Sequence, residues 1–153
     1  MSATSYHWLN PSERAERCGS HLSPRGALIL LWHTHPPPYT GFFESVQPIY
    51  ERFVPGWKPP PSPGMALERI EAVRSELERS GVFGPARRRA VDWSRTLPRV
   101  DYQRLLCTYS DHALLGDGQR AELLDEIGAL IDRDYGGVVE RPYRTELIVA
   151  RRR

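Results

Sequence analysis

The chain has 153 residues and a mass of 17.5 kDa, with 40% hydrophobic, 10% aromatic and 26% charged residues, a profile that fits one globular domain and excludes disorder, collagen and coiled coil. Lys and Arg together number 21 against 19 for Asp and Glu; the net charge of +2 is too weak a field to draw in a polyanion, so no nucleic-acid partner is expected. A chain of this length buries roughly 68 to 70% of its unfolded surface and needs no metal or disulfide to hold a core.

Lys58 is the only lysine. With frequent Pro and Ala, that arginine-heavy balance reads as a coding bias, the alternative being an arginine surface for phosphates. Cys18 and Cys107 stand far apart without a CxxC, so no zinc site or disulfide framework can be read from them, and a reducing cytoplasmic setting is expected. No run approaches the roughly 18 apolar residues of a membrane span, and residues 1–9 lack the basic and apolar pattern of a leader. Neither membrane insertion nor export is expected.

Residues 2–9 read as the end of a strand and its exit loop. Asn10-Pro11 then offers an N-cap with proline at the first helical position, and Glu13 is placed as its capping-box partner, for a short helix to about Leu22. After the turn Ser23-Pro24-Arg25-Gly26, the unbroken apolar run Ala27-Leu28-Ile29-Leu30-Leu31-Trp32 predicts a strand covered on both faces, at a sheet centre. Prolines 36–38 end it. Phe42, Phe43, Val46, Ile49, Tyr50 and Phe53 recur at helical spacing, disturbed by Pro48, and a proline-rich loop follows to Gly64.

Leu67, Ile70, Val73 and Leu77 then make the stripe of an amphipathic helix capped by Gly81. Residues 87–93 alternate as a half-buried edge or antiparallel strand. Two helices follow, with stripes of Tyr102, Leu105, Leu106 and Tyr109, then Leu123, Leu124, Ile127, Leu130 and Ile131, the second stopped by Gly136-Gly137. A final strand covers 143–150, and the class is α/β.

Several groups carry chemistry in principle. His33 and His35 stand two apart at a strand exit, where both could reach one side, but no third ligand at metal spacing lies nearby, so no metal is expected. His7-Trp8 lies just past a strand end, where open α/β sheets place ligands; a packed aromatic with a hydrogen-bonded histidine is the competing account. The proline runs read as rigid loops before SH3-type ligands. The arginine triplets at 87–89 and 151–153 read as solvated charge, and Gly116-Asp117-Gly118, between two helices, as a capping loop. There is no GxSxG, and neither cysteine has an activating base evident in sequence.

Order and wording together are more specific. Tyr6-His7-Trp8-Leu9-Asn10-Pro11, a helix, and Leu22-Ser23-Pro24-Arg25-Gly26 before an apolar strand resemble class I S-adenosylmethionine-dependent methyltransferases of the type 11 group. That family has an aromatic-His-Trp strand exit and a leucine, arginine-proline-glycine-glycine turn, from which Ser23-Pro24-Arg25-Gly26 departs slightly. Val82-Phe83-Gly84-Pro85 with Arg88, Arg89 and Asp92-Trp93-Ser94-Arg95 resembles the sixth strand and its turn, and Pro142-Tyr143-Arg144-Thr145-Glu146-Leu147 the closing antiparallel strand.

The resemblance spans nearly the whole chain and implies a partial Rossmann-like sheet, the fourth to seventh strands with the last antiparallel, carrying inserted helices. Residues 1–153 are then a single domain, the C-terminal half of a methyltransferase, with 36–81 a helical insertion containing the proline-rich loop. The resemblance implies S-adenosylmethionine as cofactor and a small-molecule acceptor, but the family's glycine-rich loop and ribose-binding acid belong to strands not in this sequence, so the chain alone should hold the cofactor weakly or not at all.

By the same resemblance His7 is the candidate general base and Trp8 lies beside the cofactor, while Trp32, His33, Phe42, Phe43 and Tyr50 face the substrate. The fourth strand would be an open edge, with an exposed apolar patch near 3–8 and 27–32. The alternative function is a non-catalytic interaction or dimerisation module, or a truncated remnant, that pairs with another protein chain or a second copy through that edge. An arginine surface for nucleic acid is a weaker reading still.

Overall fold

The computed structural model describes residues 1–36, 39–54, 56–58 and 63–153, of which 63–66 by backbone alone. The reading of the two proline runs as rigid loops falls largely outside the described residues. The elements in chain order are β1 (Ser2–Ala3), α1 (Arg14–Ser20), β2 (Ala27–Thr34), α2 (Phe42–Ser45), α3 (Gln47–Phe53), α4 (Pro63–Arg79), β3 (Arg87–Pro98), α5 (Arg99–Leu106), α6 (Ser110–Ala113), α7 (Asp117–Tyr135) and β4 (Val138–Arg151). The fold is α/β.

The four strands form one mixed sheet in the order β1-β2-β4-β3. β1 runs parallel to β2, with Ala3 opposite Leu31, and β2 runs antiparallel to β4, with Ile29 opposite Val149 and His33 opposite Thr145. The apolar run at 27–32 thus occupies an interior strand, as expected, but it is not covered on both faces: Leu28 and Leu30 enter the core, while Ile29 and Leu31 are half-buried and outside it. The chain forms two compact units: Met1–Pro37, Pro61–Trp93 and Tyr143–Arg153 in the first, and Pro38–Pro60 and Ser94–Pro142 in the second.

In the first unit, one face of the sheet is covered. Leu28, Leu30, Ile148 and Ala150 pack with Tyr6, Ala15 of α1, Ile70, Val73 and Leu77 of α4, and Phe83. The stripe predicted on α4 therefore supplies three core residues, while Leu67 stays 43% exposed. Arg14 ties the helices together: its guanidinium donates to both carboxylate oxygens of Glu76, Nε at 2.7 Å from Oε1, and lies over the Tyr6 ring at 4.6 Å. Tyr6, fully buried, donates its hydroxyl to the same carboxylate at 2.9 Å. Burial, reinforced by that carboxylate, holds the Tyr6 hydroxyl above the usual phenol range.

Local signals resolve in detail. The carbonyl of Asn10 accepts from the Glu13 and Arg14 amides, and its side chain accepts from the Ser12 amide, so the predicted cap opens a turn and regular helix begins at Arg14. Pro48 does not kink one helix but stands in the first turn of a second, α3, where its missing N–H costs nothing. Ser23-Pro24-Arg25-Gly26 is a turn closed by Gly26 N–H to Ser23 C=O at 2.8 Å. Arg25 holds φ +63° in it, the conformation that a glycine takes without steric cost.

Arg25, which stands where the resembled signature has glycine, is therefore the one residue of this turn in the left-handed region. β3 is longer than the predicted 87–93, and it is not half-buried: Val91 is 61% and Trp93 42% exposed, because no core residue of the unit packs over that face of the outermost strand.

The second unit is a helical cluster around Phe42, Val46, Ile49 and Tyr50, Tyr102 and Leu106 of α5, Leu123, Ile127 and Ile131 of α7, with Leu97 and Val139 from the strand ends. The stripes read from the sequence for α5 and α7 are its main surfaces. α7 ends at Gly136, whose φ of +62° turns the chain out of the helix while the Gly136 and Gly137 amides return to the Ile131 carbonyl.

Candidate functional site

β1 and β2 are parallel, so their carboxyl ends lie at one edge of the sheet, the place where open α/β sheets bind ligands. β1 is released at Thr4, a β-branched residue at φ +50° whose amide still donates to Leu31 C=O at 2.8 Å. Such a conformation costs a β-branched side chain on the order of 1–3 kcal/mol and is held by the surrounding structure. It turns the chain into a 3-10 turn, Tyr6–Trp8.

Tyr6 anchors that turn in the core, and His7 and Trp8 are left on the surface, Trp8 77% exposed, with their rings 4.8 Å apart and tilted by 40°. Of the exposed apolar patch expected near 3–8 and 27–32, Trp8 alone is a large exposed apolar residue: Tyr6 is buried and none of 27–32 is exposed. The pair offers an imidazole that can take a proton and an indole that can lie against an apolar group.

At the β2 exit Trp32 turns to the covered face and packs against the core, whereas His33 is exposed on the other. His33 Nδ1 shares a hydrogen bond of 3.0 Å with the Thr145 hydroxyl, which accepts the Trp93 indole N–H at 2.9 Å. Trp93 stacks on Tyr143 at 4.4 Å and 12°, and both rings stand edge-on to His33, at 5.7 and 5.9 Å. Sequence reasoning missed Trp93, Tyr143 and Thr145 as companions of His33. Their odd-numbered alternation on β3 and β4 was visible, but the register that brings the strands together was not.

Phe42, Phe43 and Tyr50 belong to the second unit. Phe42 is 5% exposed and meets Phe43, Tyr102 and Tyr135 edge to face at 5.2–5.4 Å. Phe42 and Phe43 nevertheless line a pocket of about 300 Å³ with Thr40, Tyr135, Val139, Glu140 and Pro142, large enough for a small molecule. Glu140 there accepts the Ser94 hydroxyl at 3.0 Å.

Tyr50 is 6% exposed, stacks on Trp57 at 4.3 Å, and its hydroxyl shares a hydrogen bond of 3.0 Å with Nε2 of the buried His112. His112 Nδ1 faces the Asp111 carboxylate at 3.3 Å. Burial pushes the Tyr50 hydroxyl well above the phenol range, so it remains protonated.

Trp8 and His7 can border a ligand, but neither exit segment, 4–10 or 32–36, contains an acid for ribose hydroxyls. Among the described residues no group of three or more His, Cys, Asp or Glu is placed to hold a metal, and no helix is long and apolar enough to cross a membrane.

No family model and no curated protein matches the sequence. Two of the solved structures similar to this chain are both described as methyltransferases. One, a "putative methyltransferase" from Bacillus halodurans C-125, has 13% identity and a TM-score of 0.44, covering 98% of this chain and 61% of its own. The other, a "putative sarcosine dimethylglycine methyltransferase" from Galdieria sulphuraria, has 16% identity and a TM-score of 0.34, covering 98% and 50%. The chain therefore spans about three fifths and one half of their lengths.

Proposed function

We propose that the chain is the acceptor-side half of an S-adenosylmethionine-dependent methyltransferase acting on a small molecule. The observation that carries the reading is the sheet: two parallel strands and a closing antiparallel strand, with Tyr6-His7-Trp8 at the first exit and Trp32-His33 at the second. The sequence resemblance asks for that arrangement. His7 is the base, an exposed imidazole at the strand exit, and Trp8 borders the methyl donor.

The donor's phosphate-free nucleoside end needs a glycine loop and an acid that the chain lacks, so the chain alone holds the cofactor weakly, and transfer requires strands supplied by additional sequence or by a partner. Positioning donor and acceptor together supplies most of the rate.

The test is a titration of isotopically labelled chain with S-adenosylhomocysteine, followed by NMR. The reading predicts shifts confined to the Tyr6–Trp8 turn and its neighbours, appearing only at millimolar ligand. Absence of shifts at that turn, or their appearance elsewhere alone, contradicts it.

A second reading, a non-catalytic interaction or dimerisation module or a remnant, is favoured by the two-residue edge strand β1 with Trp8 and Leu9 exposed beside it. It predicts a dimer in the absence of cofactor, measured by sedimentation, that a Trp8→Ser exchange disrupts.

A further inference from the structure

The two faces of the first unit's sheet are unequal. One is the covered face, and it carries the acids: Glu146 opposite Trp32, and Asp92 bound by Arg144. The other carries Ile29 and Leu31 of β2 and, directly opposite them, Val149 and Leu147 of β4. These four are half-buried between neighbouring strands and are absent from the unit's core. Val91 and Trp93, on the same face of β3, are exposed. The alternation is fixed by contacts, since Arg88 and Asp92 reach Glu146 and Arg144 on the covered side while Trp93 reaches Tyr143 and Thr145 on the open one.

Charge on the open face has one sign. No Asp or Glu stands at positions 27, 29, 31 or 33, at 87, 89, 91 or 93, or at 143, 145, 147, 149 or 151. Arg89 and Arg151 flank the apolar stripe, both exposed and without a hydrogen-bonding or ionic side-chain partner among the described residues. An apolar stripe edged by free cations is complementary to an apolar stripe edged by carboxylates.

The dimensions select the occupant. From β2 to β3 the face is roughly 10 Å across at about 4.8 Å per strand spacing, and seven residues at about 3.3 Å make it roughly 20 Å long. That matches the 10–12 Å diameter of one helix, of about 13 residues. A second copy docking by this same face would set Arg89 and Arg151 against a surface that also lacks acids, so self-pairing is disfavoured.

We infer that the open sheet face centred on Leu31, Leu147 and Val149 is a docking surface for a protein partner that presents one amphipathic helix with an acidic margin. The inference uses a different part of the sheet from the His7-Trp8 turn.

The experiment titrates methyl-labelled protein with a 16-residue helical peptide bearing a leucine stripe edged by glutamates, and with the same peptide carrying lysines. The expected result is perturbation of the Ile29, Leu31, Leu147 and Val149 methyl signals, with the glutamate peptide at least tenfold tighter. In the Arg89→Glu, Arg151→Glu double variant, whose exchanges lie outside the core, the preference inverts while the circular dichroism spectrum is unchanged. Val91→Asp weakens the glutamate peptide by a similar factor.

Equal affinity for the two peptides, or no perturbation of these methyls at millimolar peptide, overturns the inference. So does a concentration-dependent shift of the same methyls without peptide, which assigns the face to a second copy. Stronger binding to vesicles containing phosphatidylserine than to the glutamate peptide overturns it in favour of a membrane.

Discussion

Arg88 places two hydrogen bonds, of 2.9 and 2.8 Å, on the carboxylate of Glu146, a residue only 3% exposed on the covered face of the sheet. The pair satisfies a charge that could not otherwise stay in that core, and Glu71 lends Arg88 a weaker contact at 3.7 Å. Removing the cation alone leaves the carboxylate buried without its counter-charge. Arg88→Met is expected to cost about 3–5 kcal/mol in denaturant unfolding, and a following Glu146→Leu to recover most of that loss. A loss below about 1 kcal/mol in the single variant would mean that water reaches Glu146.

The turn before β2 carries an arginine where the backbone favours glycine. Arg25→Gly relieves φ +63° without removing a hydrogen bond, because the turn is closed by the Gly26 amide. The left-handed conformation costs about 1–2 kcal/mol for a side-chain-bearing residue. The expected gain is about 1 kcal/mol in unfolding free energy, after the added freedom of the unfolded chain is deducted. A destabilised variant would show that the Arg25 side chain has a role beyond the turn.

How far the sequence reveals this molecule differs between its parts. The interior strand, read at 27–32 and running on to Thr34, the stripes of α4, α5 and α7, and the stop at Gly136 were legible, because each rests on spacing within one segment. β3 was misread as half-buried, since the alternation of Arg89, Val91 and Trp93 says which residues share a face and nothing of whether that face is covered. The His33 cluster was invisible for a related reason: Thr145 lies 112 positions away and meets His33 only through strand register. Tyr50 and Phe42 show the limit of periodicity, which marks an inward face without separating core from pocket lining.

Tyrosine ionisation should govern stability at high pH. Tyr6 and Tyr50 are held protonated in the fold, chiefly by burial, with folded values above those of the unfolded chain. Their contribution is complete below the unfolded phenol range, near pH ~10, and is lost as pH rises above it. Thermal unfolding between pH 8 and 11 should show a decline that Tyr6→Phe and Tyr50→Phe each make shallower. Tyr50→Phe also leaves the buried His112 Nε2 without its hydrogen-bond partner, and is expected to cost about 1–3 kcal/mol at neutral pH.

Acid acts through Asp92. The two hydrogen bonds from Arg144, each 2.6 Å, hold its carboxyl below the ordinary aspartate range. The stabilisation is present above the unfolded value, near pH ~4, and disappears as pH falls through the lower folded value. Asp92→Asn should therefore reduce stability at pH 6 and leave it nearly unchanged at pH 2. An equal loss at both pH values would rule out the ion pair as the cause.

The most direct test of the account is a calorimetric titration of the folded chain with S-adenosylmethionine. An acceptor-side half without the glycine loop and ribose-binding acid is predicted to give no measurable heat at micromolar concentrations. Saturable micromolar binding, about −8 kcal/mol, would contradict that account and show that the strand exits of this chain are a sufficient donor site.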